Sequence, residues 1–242
     1  HELAPAIERA FGMRRAVAVA LVINSPGGSP VQSALIHARI RQLAEERKLP
    51  VLAFVEDVAA SGGYWLALAA DEIFVDPSSI VGSIGVISSA FGFDRAIERL
   101  GVQRRLYTAG ERKSLLDSFL PERPEDVARL KRLLADMHDN FKALVRARRG
   151  ARLKAPEDEL FSGEFWLGQR ALELGLVDGI GEVRATLRAR YGERVRLRPI
   201  ATQRRTWRRR LGLFGAPALS GDLASELIAG LEERQHWARF GL

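Results

Sequence analysis

A chain of 242 residues, 47% apolar and 28% charged, can bury one sizeable core, which excludes a disordered or low-complexity polymer. The absence of cysteine excludes disulfides, cysteine nucleophiles and thiolate-held metals. The net charge of +7 is uneven, with an arginine run between Arg184 and Arg210 that admits an anionic membrane surface as a partner; no nucleic-acid-binding motif accompanies it, so no nucleic acid is expected.

No apolar run reaches the ~18–20 residues of a transmembrane helix, and no secretory signal is visible. The chain starts at His1 rather than Met, which leaves room for native residues ahead of it.

Residues 3–11, with Pro5 in the first turn, predict a short helix. Ala16 to Ile23 is a continuous apolar run, the pattern of a buried strand in a parallel sheet. It runs into Asn24-Ser25-Pro26-Gly27-Gly28-Ser29-Pro30, a turn dense in breakers. Val31, Leu35, Ile36, Ile40 and Leu43 then recur at helical spacing through Arg47. A strand at 51–55, a turn at Ser61, a helix at 62–70 and a strand at 72–75 follow. This β-α-β-α-β order predicts a mostly parallel α/β layer.

Residues 80–93 are small and apolar, with Gly82 and Gly85 inside a strand-like run that calls for close backbone packing. A helix at 94–100, a strand at 102–107 and a loop at 108–122 come next. A long helix is predicted over 123–149, with Val127, Leu130, Leu134, Met137, Phe141, Leu144 and Val145 on one side. Helices at 164–174 and 182–191 and a strand at 194–199 end a folded core spanning residues 1–200. Residues 201–242 read as an Arg-rich linker and, over 220–238, an amphipathic helix carrying Leu223, Leu227, Ile228 and Leu231. That helix fits docking on its own domain, an oligomer contact or a membrane surface.

The chemistry centres on Val58-Ala59-Ala60-Ser61-Gly62-Gly63-Tyr64-Trp65. Ser61 falls at a strand-to-helix junction, near free backbone N–H groups that can stabilise an oxyanion. These residues alone admit both a helix N-cap and a nucleophile. The four histidines, His1, His37, His138 and His236, are scattered, and His37 and His138 are expected on helix surfaces. Lys48, Lys131, Lys142 and Lys154 lie on or beside polar helix faces. Lys113 lies in a loop, where it is either a solvated side chain or, if kept neutral, a general base.

Asn24-Ser25-Pro26-Gly27-Gly28, Ala59-Ala60-Ser61-Gly62-Gly63-Tyr64, Val81-Gly82-Ser83-Ile84-Gly85-Val86 and Ala109-Gly110-Glu111-Arg112-Lys113-Ser114 occur in this order. Together they resemble the short-form signal peptide peptidase A family, serine–lysine peptidases of the S49 type. The resemblance covers about residues 16–190. It implies a ClpP/crotonase-like α/β fold of layered parallel sheets with surrounding helices, to which the C-terminal helical extension is added.

The resemblance further implies Ser61 as nucleophile, Lys113 as general base and Ser83 as the residue that orients the lysine. The oxyanion hole would come from the backbone N–H groups of Gly62 and the Gly27-Gly28 turn, with no metal and no cofactor. It implies a homo-oligomeric ring or dome in which neighbouring subunits contribute serine and lysine. Substrates would be cleaved signal peptides, or other small or unfolded peptides, cut beside small or apolar residues. The setting would be bacterial, inner-membrane-associated or cytoplasmic.

The family's N-terminal anchor and first strand lie outside these residues, and 201–242 departs from the core pattern, so a regulatory role for that tail is one expectation. Two other readings are a crotonase-like acyl-CoA enzyme, which would want a glutamate pair and no Lys113, and an inactive scaffold that binds membrane-associated partners through the basic tail.

Overall fold

The computed structural model describes residues 3–110 and 112–200, with Trp237, Ala238 and Phe240. The linker and most of the expected C-terminal helix therefore lie outside the described residues.

Helix α1 (Ala4–Phe11) leads into β1 (Val19–Ser25), helix α2 (Pro30–Arg47) and β2 (Val51–Ala60). Ser29 caps α2 through its hydroxyl, which accepts from the Gln32 N–H, and Pro30 stands in the first turn, where its missing N–H costs nothing. Helix α3 (Gly62–Ala67) and strands β3 (Glu72–Val75) and β4 (Ile80–Gly82) follow.

The spine of the sheet is β2. Val51–Val55 and Val58–Ala60 are buried, and Glu56 and Asp57 between them are exposed. Parallel β1 takes one edge of β2. The other edge is divided: Leu52–Val55 pair with β3, and Val58–Ala60 pair with β4, both parallel. The sheet therefore curls at the acidic pair.

Side chains hold that curl. The Ser79 hydroxyl reaches the carbonyls of Val55 and Glu56. Asn24 accepts from the Val58 N–H at 3.2 Å and donates to Asp57 at 2.7 Å, beside the register shift between Ile23 and Ser25.

After helix α4 (Asp94–Arg99) and the long helix α5 (Pro124–Arg149), the chain adds α6 (Glu157–Leu160), β5 (Phe165–Leu167), α7 (Gly168–Glu173), β6 (Gly179–Ile180) and α8 (Val183–Tyr191). Strand β5 pairs antiparallel with β4, and β6 pairs with β3.

The alternation of side chains along β2 sends Val51, Ala53 and Val55 into the main core, with residues from α2, α3 and the C-terminal half of α5. Leu52 and Phe54 face the other way, under Leu187 of α8 and the half-buried Val195 and Leu197. This is the mixed α/β layering expected: a curled, largely parallel sheet with surrounding helices.

Several local expectations are corrected. Residues 102–107 form no ladder and are exposed. Residues 194–199 are also unpaired, because Val195 and Leu197 only lean on Leu52 and Phe54 with no neighbouring strand edge to bond. The expected helix at 164–174 divides into β5 and α7, since β4 offers an edge that Phe165–Leu167 fill. Of the run 80–93, only Ile80–Gly82 is strand.

Candidate active site

Ser61 follows the last residue of β2, and its backbone is held at φ 51°, ψ −120°. A non-glycine residue there costs roughly 1–3 kcal/mol, so its surroundings must enforce it. The Ser61 N–H donates to Gly82 O at 2.8 Å, and Ser61 O accepts from Trp65 N–H at 3.0 Å. Ser61 occupies the N-cap position of α3, yet its hydroxyl makes no capping hydrogen bond, and at this sharp strand-to-helix turn it has no partner among the described residues.

Glycines make room around it. A Cβ on Gly27 would stand 2.9 Å from Ser61 Cβ and 3.1 Å from Gly62 N. A Cβ on Gly62 would stand 2.7 Å from Ser33 Oγ and 3.2 Å from Gly28 N. The Asn24–Ser29 turn is thus pressed against the start of α3, with the Gly28 and Gly62 amides close together. The Gly27 N–H donates to Ser25 Oγ at 3.3 Å, whereas those of Gly28 and Gly62 have no acceptor among the described residues. Buried Ser33 on α2, which sequence reasoning missed, lines this junction.

Ser83 lies one residue beyond β4, as Ser61 lies one residue beyond β2. Since Ala60 pairs with Gly82, the two serines leave adjacent strands side by side. Ser83 is buried, has φ 51°, and donates its N–H to Glu164 O at 2.7 Å.

Lys113 is placed differently. It is exposed in a turn after Gly110, and its side chain bonds neither Ser61 nor Ser83 among the described residues. The single chain brings together Ser61, Ser83, Gly27, Gly28 and Gly62, while Lys113 is exposed and makes no side-chain bond to this group among the described residues.

The lysine loop hangs from an exposed apolar arm. Phe93 stacks on Phe119 and meets Phe91 at a tilt, and the Arg104 guanidinium stands over Phe119. Ile87, Phe91, Leu100, Val102 and Tyr107 remain open to solvent.

The site's frame is buried. Tyr64 Oη donates to Leu176 O at 2.7 Å, and burial pushes that phenol up, so it stays a donor. Arg149 bonds Asp178 at 2.7 Å, and Asp178 accepts from the Ile73 N–H at 2.8 Å. Burial alone would raise the Asp178 carboxyl; the Arg149 hydrogen bond and charge outweigh it and hold the group low.

Neither helix histidine is the surface residue expected. His37 is half-buried, and burial, with the charges of Arg148 and Arg41, pushes it down to about 4. His138 Nε2 lies 2.9 Å from Ile84 O. No cluster of His, Asp and Glu among the described residues could hold a metal ion.

The sequence model of peptidase family S49 matches residues 44–195, which takes in Ser61, Ser83 and Lys113. This chain belongs to peptidase family S49. Among the S49 chain's relatives is the "Na(+)/H(+) antiporter NhaA" of Brucella abortus (strain 2308), 50% identical over 98% of this chain and 33% of that protein. "Protease 4" of Haemophilus influenzae is 35% identical over 68% of this chain and 26% of its own length. "Serine protease SPPA, chloroplastic" of Arabidopsis thaliana is 32% identical over 66% of this chain and 23% of its own length. The chain spans a third or less of these relatives. No helix among the described residues of this S49 chain is long and apolar enough to cross a membrane.

Proposed function

We propose that this S49 chain is a serine endopeptidase that uses a Ser61–Lys113 dyad to degrade cleaved signal peptides or other small, unfolded peptides. The observation that carries the reading is the strained, uncapped Ser61 beside the Gly28 and Gly62 amides. Lys113 Nζ takes the proton from Ser61 Oγ as the oxygen attacks a peptide carbonyl. The Gly28 and Gly62 N–H groups receive the oxyanion, each worth roughly 3 kcal/mol of barrier. The tetrahedral species collapses, and the lysine returns its proton to the departing amine. Water, deprotonated by the same lysine, then releases the acyl group. Ser83, beside Ser61, orients the ammonium or amine.

Lys113 reaches the site from a second copy of the chain. Its exposed position and the solvent-facing apolar arm that bears it support this reading, because within one chain the Lys113 side chain makes no bond to Ser61 or Ser83 among the described residues. The likeness to a third of a protein named as an antiporter supports action beside a membrane, with the exposed arginines of 184–198 facing anionic lipid.

The test is turnover of a fluorogenic peptide with a small or apolar residue at the cut. Ser61→Ala and Lys113→Ala each abolish it, and mixing the two with verified subunit exchange restores part. Full activity in Lys113→Ala rejects the dyad, and no recovery on exchange rejects the shared site.

A further inference from the structure

We infer that His138 is a positioning residue for the Ser61–Ser83 site, an inference that rests on the serine-peptidase reading above. Helix α5 touches the segments that follow both serines. From it His138 Nε2 reaches Ile84 O at 2.9 Å, and Ile84 is wholly buried. A carbonyl only accepts, so Nε2 carries the proton. This bond fixes the residue next to Ser83, in a turn where Gly85 N–H donates to Ser83 O at 2.9 Å.

One turn along the same face, at i+3, Phe141 packs against Trp65 with ring centroids 4.8 Å apart. Trp65 N–H in turn holds the Ser61 carbonyl. One helix thus grips the Ser61 segment through Phe141 and the Ser83 segment through His138.

Ser83 has a positive φ that its surroundings must maintain. Without a donor at 138, the buried Ile84 carbonyl loses its partner and the turn can relax. The cost then falls on the alignment of Ser83 and Ser61, since misplacement by about 1 Å can cost ~100-fold in rate. The loss is expected in kcat rather than in KM.

The experiment compares wild type, His138→Leu, His138→Gln, His138→Glu and Ser61→Ala on the fluorogenic peptide, with thermal melts alongside. Glutamine keeps an N–H donor; glutamate has the same shape but only accepts when ionised. We expect kcat to fall roughly 10- to 100-fold in His138→Leu and His138→Glu, with KM within about twofold, and His138→Gln to keep most of wild-type kcat. If the leucine variant does not fold, the glutamine–glutamate pair decides. Wild-type kcat in the leucine or glutamate variant, an equal loss in the glutamine variant, or a change confined to KM overturns the inference. A wild type no more active than Ser61→Ala instead removes the peptidase reading, and this inference with it.

Discussion

Ser61 and Gly82 are tied backbone to backbone: the serine N–H donates to the glycine carbonyl at 2.8 Å, at the end of the β2–β4 ladder. The strained conformation of Ser61 is therefore referenced to the strand that leads into Ser83. Gly82 also has φ +115°, and a Cβ there would stand 2.9 Å from Glu164 O and from the Trp166 ring. Gly82→Ala should push β4 and β5 apart, cost roughly 1–3 kcal/mol of stability, and lower kcat by more than the melting shift would imply. Urea titration and steady-state kinetics on one preparation check this.

The Asn24–Ser29 turn offers a sharper contrast. Gly27→Ala would drive a methyl group against Ser61 Cβ, at φ +121°. Gly28→Ala would meet nothing within 4 Å and would bear only the strain of φ +144°. We expect Gly27→Ala to lose about 100-fold or more in kcat/KM and Gly28→Ala to lose less. Equal losses would mean that crowding of Ser61 is not what Gly27 prevents.

The Arg149–Asp178 pair should dominate stability away from the serine. The Arg149 side chain is only 2% exposed, and its Nη2 already lacks a partner among the described residues. Asp178→Ala would strand that charge and should cost about 3–5 kcal/mol. Asp178→Asn, which keeps an acceptor for the Ile73 N–H, should cost less. Denaturant midpoints at neutral pH measure both.

His37 predicts a pH dependence. Folded, it titrates near 4; unfolded, near 6.5. Between these values the unfolded chain binds the extra proton, so stability rises with pH across the window and is lost as pH falls from about 6.5 towards 4. The full shift corresponds to roughly 3.4 kcal/mol, and solvent screening of the half-buried ring makes the loss smaller. His37→Gln should flatten that part of the curve, read as the difference between wild-type and variant unfolding free energies at pH 4.5 and pH 7.

The basic face should respond to lipid charge. Arg194, Arg196 and Arg198 point outward while Val195 and Leu197 turn in. Replacing the three arginines with glutamate should abolish sedimentation with vesicles rich in phosphatidylserine, leave peptidase turnover intact, and make no difference with neutral vesicles. Wild-type binding that ignores salt would argue against an electrostatic contact.

What could be read in the sequence follows from how local each cause is. β1, β2 and α2 were legible because their apolar runs and helical spacing are local. Ser61 and its glycines were legible because a sharp turn needs those residue types wherever it occurs. β5 was not, because Phe165–Leu167 become a strand only when β4 presents an edge. At 194–199 the alternation was real, but only neighbouring strands could have made it a ladder. His138 looked like a surface residue because its acceptor, Ile84 O, lies 54 positions away in the chain. The expectation for Lys113 rests on its motif alone, and the single chain leaves it exposed.

The pairing of Gly82 with Phe165, and the bond from Ser83 N–H to Glu164 O, bring the two ends of segment 84–163 together at the sheet. The segment is thus an excursion closed at its base, anchored again through the C-terminal half of α5. A protease cut near 101–110 would leave two fragments held by the sheet and by α5. The same closure lets the outer part of the excursion change length, or be traded between chains, without shifting the register beneath Ser61. The arm that bears Lys113 is free to diverge, while the strand end that bears the serine is not.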